Sequence, residues 1–256
     1  MMRISLINFS PIPDENLQAV IRVINRQIRD DFEPYWGMSA SLRLEGKSTF
    51  RPRLQSAVDM RGDAVLYLTN TGNVNGLLGY HALNFPGIPY GCVFTWISRQ
   101  LGESWTVTLS HEALELVGDP EANRLATGPH PQHPELQVFY WYEMCDAVQN
   151  EIYEIDGVEV SNFVLPLYFT PPNEPGSRND FLGRLPALPS FGVAPGGYVG
   201  FVSPWTGANN TYAPDRLGRA RSRIKGEAGQ ASRLSRYQKL GTRAARLEYL
   251  WRGTVT

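Results

Sequence analysis

One short stretch, Ser110-His111-Glu112-Ala113-Leu114-Glu115-Leu116-Val117-Gly118-Asp119-Pro120, holds the residues best suited to chemistry. Thr108, His111, Glu112 and Glu115 fall at offsets 0, 3, 4 and 7, so on a helix they share one side. Around them Trp105, Val107, Leu109, Ala113, Leu114, Leu116 and Val117 are apolar. Ionisable groups on an otherwise apolar helix need a partner, because burying an unpaired charge is costly. A metal cation is one such partner. His111 and Glu115, one turn apart, can point at the same ion, and Glu112 beside them can hold a water. The competing reading is an amphipathic helix whose His and Glu residues simply face water.

A zinc-type hydrolytic site takes three protein ligands and leaves one position open. His111 and Glu115 supply two. The third must come from outside the helix, and the candidates are Glu143, Asp146, Asp119, Glu121 and His130. Asp119 lies beyond a helix-ending Gly and is expected to close the turn before Pro120. Glu143 is preferred, because it follows the aromatic run Val138-Phe-Tyr-Trp-Tyr142, where an unpaired carboxylate would be costly. Asp146 then serves as a group that orients His111 or a ligand. Two carboxylates and one His make a hard, anionic site for one divalent cation, zinc first, with calcium and manganese as rivals. His130 and His133, in the proline-rich 128–134 stretch, read as part of an exposed loop.

The helix that carries these groups is bounded by Ser104, a good cap, and by Gly118 with Asp119-Pro120, a stop. Before it the chain reads in order as a strand (Arg3 to Phe9), a turn capped by Asp14, a long amphipathic helix (Glu15 to Phe32) and a second strand (Ser39 to Leu44). A polar loop from Glu45 to Asp59 leads to strands at Ala64–Thr69, Gly79–Asn84 and Gly91–Trp96, with a turn-rich segment from Asn70 to Gly76. Past Pro120 the chain reads as irregular, then as a hairpin (Ile152–Ile155 and Val158–Val160) and one more strand, Phe163–Phe169. Residues 171–215 form a Pro- and Gly-rich extension with a last hairpin near Tyr198–Val202.

At 256 residues and 42% hydrophobic, the chain suits one generous domain or a domain with an extension. No apolar run of about 18 residues is present, so no membrane span is expected. The first ten residues lack an apolar core and a small-residue cleavage site, so no signal peptide is expected either. Two cysteines, Cys92 and Cys145, argue against a disulfide scaffold and fit a reducing compartment. The net charge of −1 is unevenly spread. From Arg216 onward eleven Lys and Arg face only Glu227 and Glu248, a basic tail of +9 on a body of −10. Such a tail suits an acidic partner or nucleic acid, although Tyr237, Tyr249 and Trp251 are too sparse for base stacking.

A mainly five-stranded sheet, a long backing helix and a His-Glu helix together resemble the N-terminal half of a zincin, nearest the metzincin branch. The metzincin pattern H-E-x-x-H-x-x-G-x-x-H, laid on this chain, gives His111, Glu112, Glu115, Gly118 and Glu121, with Glu at both later His positions. The segment is also similar to H-E-x-x-E…D-P proteins of bacteria and phages, in which a Glu-x-x-Asp segment follows. Trp141-Tyr142-Glu143-Met144-Cys145-Asp146 stands at that place. The resemblance covers roughly residues 3 to 170. It implies an α+β, zincin-like domain over 1–170, followed by the 171–215 extension and the 216–256 tail. It further implies a metallopeptidase in which Glu112 is the general base, and in which Met144 resembles a Met-turn residue by position alone. The Gly79–Asn84 strand would be the sheet edge that pairs with a peptide or protein substrate. The alternative is a non-catalytic scaffold with a structural or lost metal site, acting as an assembly or phage-particle component. The setting implied is cytoplasmic or virion-associated.

Overall fold

Period-two alternation builds the first sheet. β1 (Met2–Phe9) sends Ile4 and Leu6 to one face and Ser5 and Ile7 to the other. The computed structural model describes residues 1–45, 62–70, 79–83, 87–100, 102–171, 177–184 and 188–222. The expected polar loop beyond residue 45, the turn beyond residue 70 and most of the basic tail lie outside them.

α1 (Asp14–Arg26) buries Leu17, Val20, Ile21, Val23 and Ile24 along one stripe. Its N-cap position is Pro13 rather than the expected Asp14, whose carboxylate instead accepts a bond from Asn8 Nδ2 at 2.7 Å. The helix does not run unbroken to Phe32: residues Gln27–Phe32 form a π-helical turn. A short α2 (Glu33–Trp36) follows and stops at Gly37, whose φ of 63° is left-handed.

β2 (Ala40–Leu44), β3 (Ala64–Thr69), β4 (Gly79–Leu83) and β5 (Pro89–Phe94) complete a mixed five-stranded sheet in the order β2-β1-β3-β5-β4. β1, β2, β3 and β5 are parallel, and β4 runs antiparallel to β5 at the edge. β3 is apolar throughout because both faces are covered: Ala64, Leu66 and Leu68 join the main core, while Val65 and Tyr67 join a smaller cluster with Tyr90, Cys92 and Phe94.

The strand expected at Gly91–Trp96 ends at Phe94, and Thr95 opens α3 (Thr95–Gln100), where Trp96 N–H donates to Asn70 O at 3.0 Å. α4 (Trp105–Gly118) then packs on the main-core face of the sheet, against β5 and β4. From Thr108 to Gly118 every residue of α4 is buried, as suits a helix apolar nearly all round. The water-facing reading of its polar stripe therefore fails. Ser104 occupies the N-cap position, yet its hydroxyl bonds Thr106 Oγ1 at 2.7 Å and caps no backbone N–H.

Beyond Pro120 the chain is more regular than expected. β6 (Leu125–Pro129) and β7 (Gln137–Trp141) pair antiparallel across the proline-rich turn. β8 (Ile152–Ile155) and β9 (Val158–Ser161) form the expected hairpin. The strand expected at Phe163–Phe169 is instead one bridge at Val164 and a 3₁₀ turn at Pro166–Phe169, where Pro166 fits a helix start because it has no N–H to leave unpaired. β10 (Val199–Val202) and β11 (Asn209–Tyr212) make the last hairpin, and β10 pairs with β7, giving a four-stranded sheet β11-β10-β7-β6. One core accordingly joins Ile4 and Leu6 of β1 to Phe191, Val199 and Phe201 of the extension. No helix among the described residues is long and apolar enough to cross a membrane.

Candidate metal centre

Three elements converge on one buried point: the edge strand β4, the polar stripe of α4, and the loop after β7 that leads into a 3₁₀ turn at Asp146–Val148. Register fixes the contribution of β4. His81 stands opposite Gly91 and Gly79 opposite Val93, a residue of the main core, so both β4 residues lie on the face that α4 covers. A Cβ on Gly79 would stand 2.7 Å from Glu112 Oε1 and 3.0 Å from Cys92 O, so the Glu112 carboxylate rests directly against the β4 backbone.

The α4 stripe faces inward as one set. His111 and Glu143 are each 7% exposed, Glu112 1%, Glu115 0%, Asp146 2% and His81 4%. The position of α4 is held by a buried clamp. Ser110 Oγ donates to Gln27 Oε1 at 2.7 Å and accepts Ser161 N–H at 3.1 Å, while Gln27 Nε2 donates to Ser161 O at 2.9 Å. The π-turn that begins at Gln27 thus ties the residue before His111 to β9. At the other end of α4, Gly118 meets the Met144 side chain closely enough that no Cβ would fit. Gly118 is required there by close approach, and Met144 in turn holds the backbone between Glu143 and Cys145.

Within this frame the ionisable groups fall into two sets that share Glu115. In the first, His81 Nδ1 lies 3.6 Å from Glu115 Oε2, 3.7 Å from Glu112 Oε2 and 3.8 Å from Glu143 Oε2. In the second, His111 Nε2 lies 3.2 Å from both Glu115 Oε1 and Asp146 Oδ1. Cys145 belongs to this second set: its N–H donates to Glu115 Oε1 at 3.2 Å, and its thiol sits within ligand range of His111 and Glu115.

Both ring nitrogens of His81 and the Oε2 of Glu112 are buried with no hydrogen-bond partner among the described residues. A polar atom left so in the interior costs about 1–3 kcal/mol, and more when charged. Separations of 3.6–3.8 Å are too long for hydrogen bonds. They lie at or just above the spacing of ligands around one cation, since atoms about 2.0–2.2 Å from a tetrahedral ion stand roughly 3.3–3.6 Å from one another. The groups present therefore fit a divalent metal.

His111, Glu115, Glu143 and Asp146 all come to this point, with Glu112 beside them. Asp119 and Glu121 do other work. Asp119 is buried and accepts the N–H groups of Asn123 at 3.1 Å and Arg124 at 3.0 Å, bracing the loop after Pro120, and Glu121 accepts a bond from Asn123 Nδ2 on the surface. His130 Nδ1 accepts the N–H groups of Gln132 and His133 in the β6–β7 turn, and His133 is exposed. Two members of the cluster give little sign of themselves in the sequence. His81 carries no ligand spacing, and only its parity with Gly79 on an alternating strand marks it as inward. Cys145 stands out there only as one of two cysteines. Both cysteines are buried, and no disulfide joins them. Cys92 lies on the far face of the sheet, where burial pushes its thiol up to about 12, the Glu112 carboxylate adding to the rise and a bond from Tyr80 opposing it.

No family model matches the chain, and a search of curated proteins finds no match.

Proposed function

We propose that this chain is a metal-dependent peptidase of zincin-like architecture, with Glu112 as the general base. The observation that carries the reading is the seat of Glu112. Its carboxylate lies between the metal-type cluster and the backbone of the edge strand β4 at Gly79, with Oε2 buried and unpartnered among the described residues. β4 has one edge bonded to β5. An extended peptide laid along its other edge would present backbone carbonyls beside Glu112.

A divalent cation held by His81, Glu115 and Glu143, or by His111 with Glu115 and Cys145, would polarise that carbonyl and acidify a water. Glu112 Oε2 is then the proton acceptor, and with no competing donor among the described residues it stays available for that task. Burial around it excludes bulk water and strengthens each electrostatic contact. Zinc is the metal we favour, with manganese or calcium admitted by the carboxylates.

A second reading draws on the same burial. With Glu115 and Glu112 almost wholly enclosed, the cluster would also serve as an internal staple in a non-catalytic scaffold. The two are separated by incubating the full chain with denatured proteins and peptides, as isolated, after chelation, and after metal is returned. The peptidase reading predicts fragments that vanish on chelation and reappear with metal. Uncut substrates together with a large metal-dependent rise in Tm would leave only the staple.

A further inference from the structure

One cation suffices for the proposed function, yet the donor atoms present can hold two. We infer that the cluster is a dinuclear metal centre in which Glu115 bridges the ions through its two oxygens. Glu115 Oε2 faces His81 at 3.6 Å and Glu115 Oε1 faces His111 at 3.2 Å. The two oxygens of one carboxylate thus address different imidazoles, each backed by its own acid: Glu143 for His81 and Asp146 for His111. Two separate three-residue groups of metal-ligand character result, His81–Glu115–Glu143 and His111–Glu115–Cys145, with Glu115 common to both.

The buried His81 ring is the independent sign that the first set is a ligand site. It is 4% exposed, it reaches no hydrogen-bond partner through either nitrogen among the described residues, and it is surrounded by carboxylate oxygens. A lone imidazole would rather turn to bond one of them. In the second set, His111, Glu115 and the Cys145 thiol offer ligand atoms close enough together to share one cation.

Charge agrees with the count. Ligating imidazoles are neutral and ligating carboxylates ionised. With the Cys145 thiolate, Glu112, Glu115, Glu143 and Asp146 then bring −5 to a buried volume, which two divalent cations reduce to −1 and one leaves at −3. Carboxylate-bridged pairs stand about 3.5–4 Å apart, a span that the two oxygens of one Glu side chain accommodate. The donor sets also differ. His81 with carboxylates alone is the harder site and takes zinc or manganese, while the Cys145 thiol beside His111 biases the second towards zinc.

This inference rests on the metal-binding half of the proposed function and is independent of its catalytic half. The test is a titration of the metal-free full chain with zinc, followed by elemental analysis after desalting. Wild type should retain two equivalents per chain. His81→Gln and His111→Gln should each retain one, and Glu115→Gln should weaken both steps. Thermal unfolding of the metal-free variants would confirm that each is folded. As a second measurement, manganese-loaded wild type should show an exchange-coupled pair by electron paramagnetic resonance. Saturation at one equivalent, with His81→Gln and His111→Gln each abolishing it, would overturn the dinuclear centre while leaving a mononuclear metallopeptidase standing. Retention of no metal at all would end both.

Discussion

Glu115 shows how much a single residue can carry: fully buried, it touches two imidazoles and the Cys145 N–H. Its importance is legible in the sequence, because His111, Glu112 and Glu115 fall on one helix face among apolar neighbours. Glu143 and Asp146 are legible for a related reason, as acids set in an aromatic segment. His81 is not, because a strand contributes one ligand at a time and leaves no spacing to recognise. Gly118 reads as a stop signal, and it is also a packing position. Gly118→Ala should force the Met144 side chain away and cost about 1–3 kcal/mol, read as a lowered urea midpoint with unchanged slope. An unchanged midpoint would mean that Met144 repacks freely.

Elements position these residues through a few specific contacts. Strand and helix identity up to Gly118 follows largely from period, apart from the π-turn, α2 and α3. The π-turn is hidden because its cause is tertiary: Gln27 reaches Ser110 and Ser161, residues 83 and 134 positions away. Gln27→Ala would leave Ser161 O and the Ser110 hydroxyl without that partner in a buried place. A loss of about 1–3 kcal/mol is expected, with weakened metal retention as His111 loses its neighbour's anchor. Stability unaltered within error would show that the clamp is dispensable. Residues 216–222 form a further helical element, and Asp215 secures it. Its carboxylate accepts the N–H groups of Gly218 at 2.8 Å and Gly196 at 2.7 Å, bonds that hold its pKa below the usual carboxylate range. A depressed acid contributes fully above its ordinary pKa and loses that contribution as pH falls through the lowered value. The protection factors for hydrogen exchange at Gly196 and Gly218 should therefore fall in acid for wild type, and already be low at neutral pH in Asp215→Asn. Equal exchange in both proteins at neutral pH would contradict that role.

At the scale of the whole molecule, the α+β sheet frame is legible in the sequence, and the way the later chain joins it is not. β10 pairs with β7, and Phe191 and Phe201 enter the main core, long-range contacts that a Pro- and Gly-rich composition does not advertise. The beginning of the basic region is likewise tied in, since Arg221 Nη2 meets Glu103 Oε1 at 2.6 Å just ahead of α4. Removal of residues 223–256 takes away eight basic groups and two acidic ones. It should leave the melting temperature nearly unchanged while reducing any low-salt retention on nucleic acid. Removal from Arg216 onward should lower the melting temperature as well, because it breaks the Arg221 and Asp215 contacts. Equal melting temperatures for the two truncations would show that those contacts add no stability.

The central claim, that Glu112 moves a proton for a metal-assisted cleavage, is tested most directly by Glu112→Gln. The amide keeps the shape of the side chain beside Gly79 and removes its basicity. Cleavage of a peptide substrate and bound metal are measured on the same preparations of wild type and variant. We predict that the rate falls by about a hundredfold to ten-thousandfold while the variant still folds and still retains metal. Equal cleavage by both proteins at equal metal content would contradict the account.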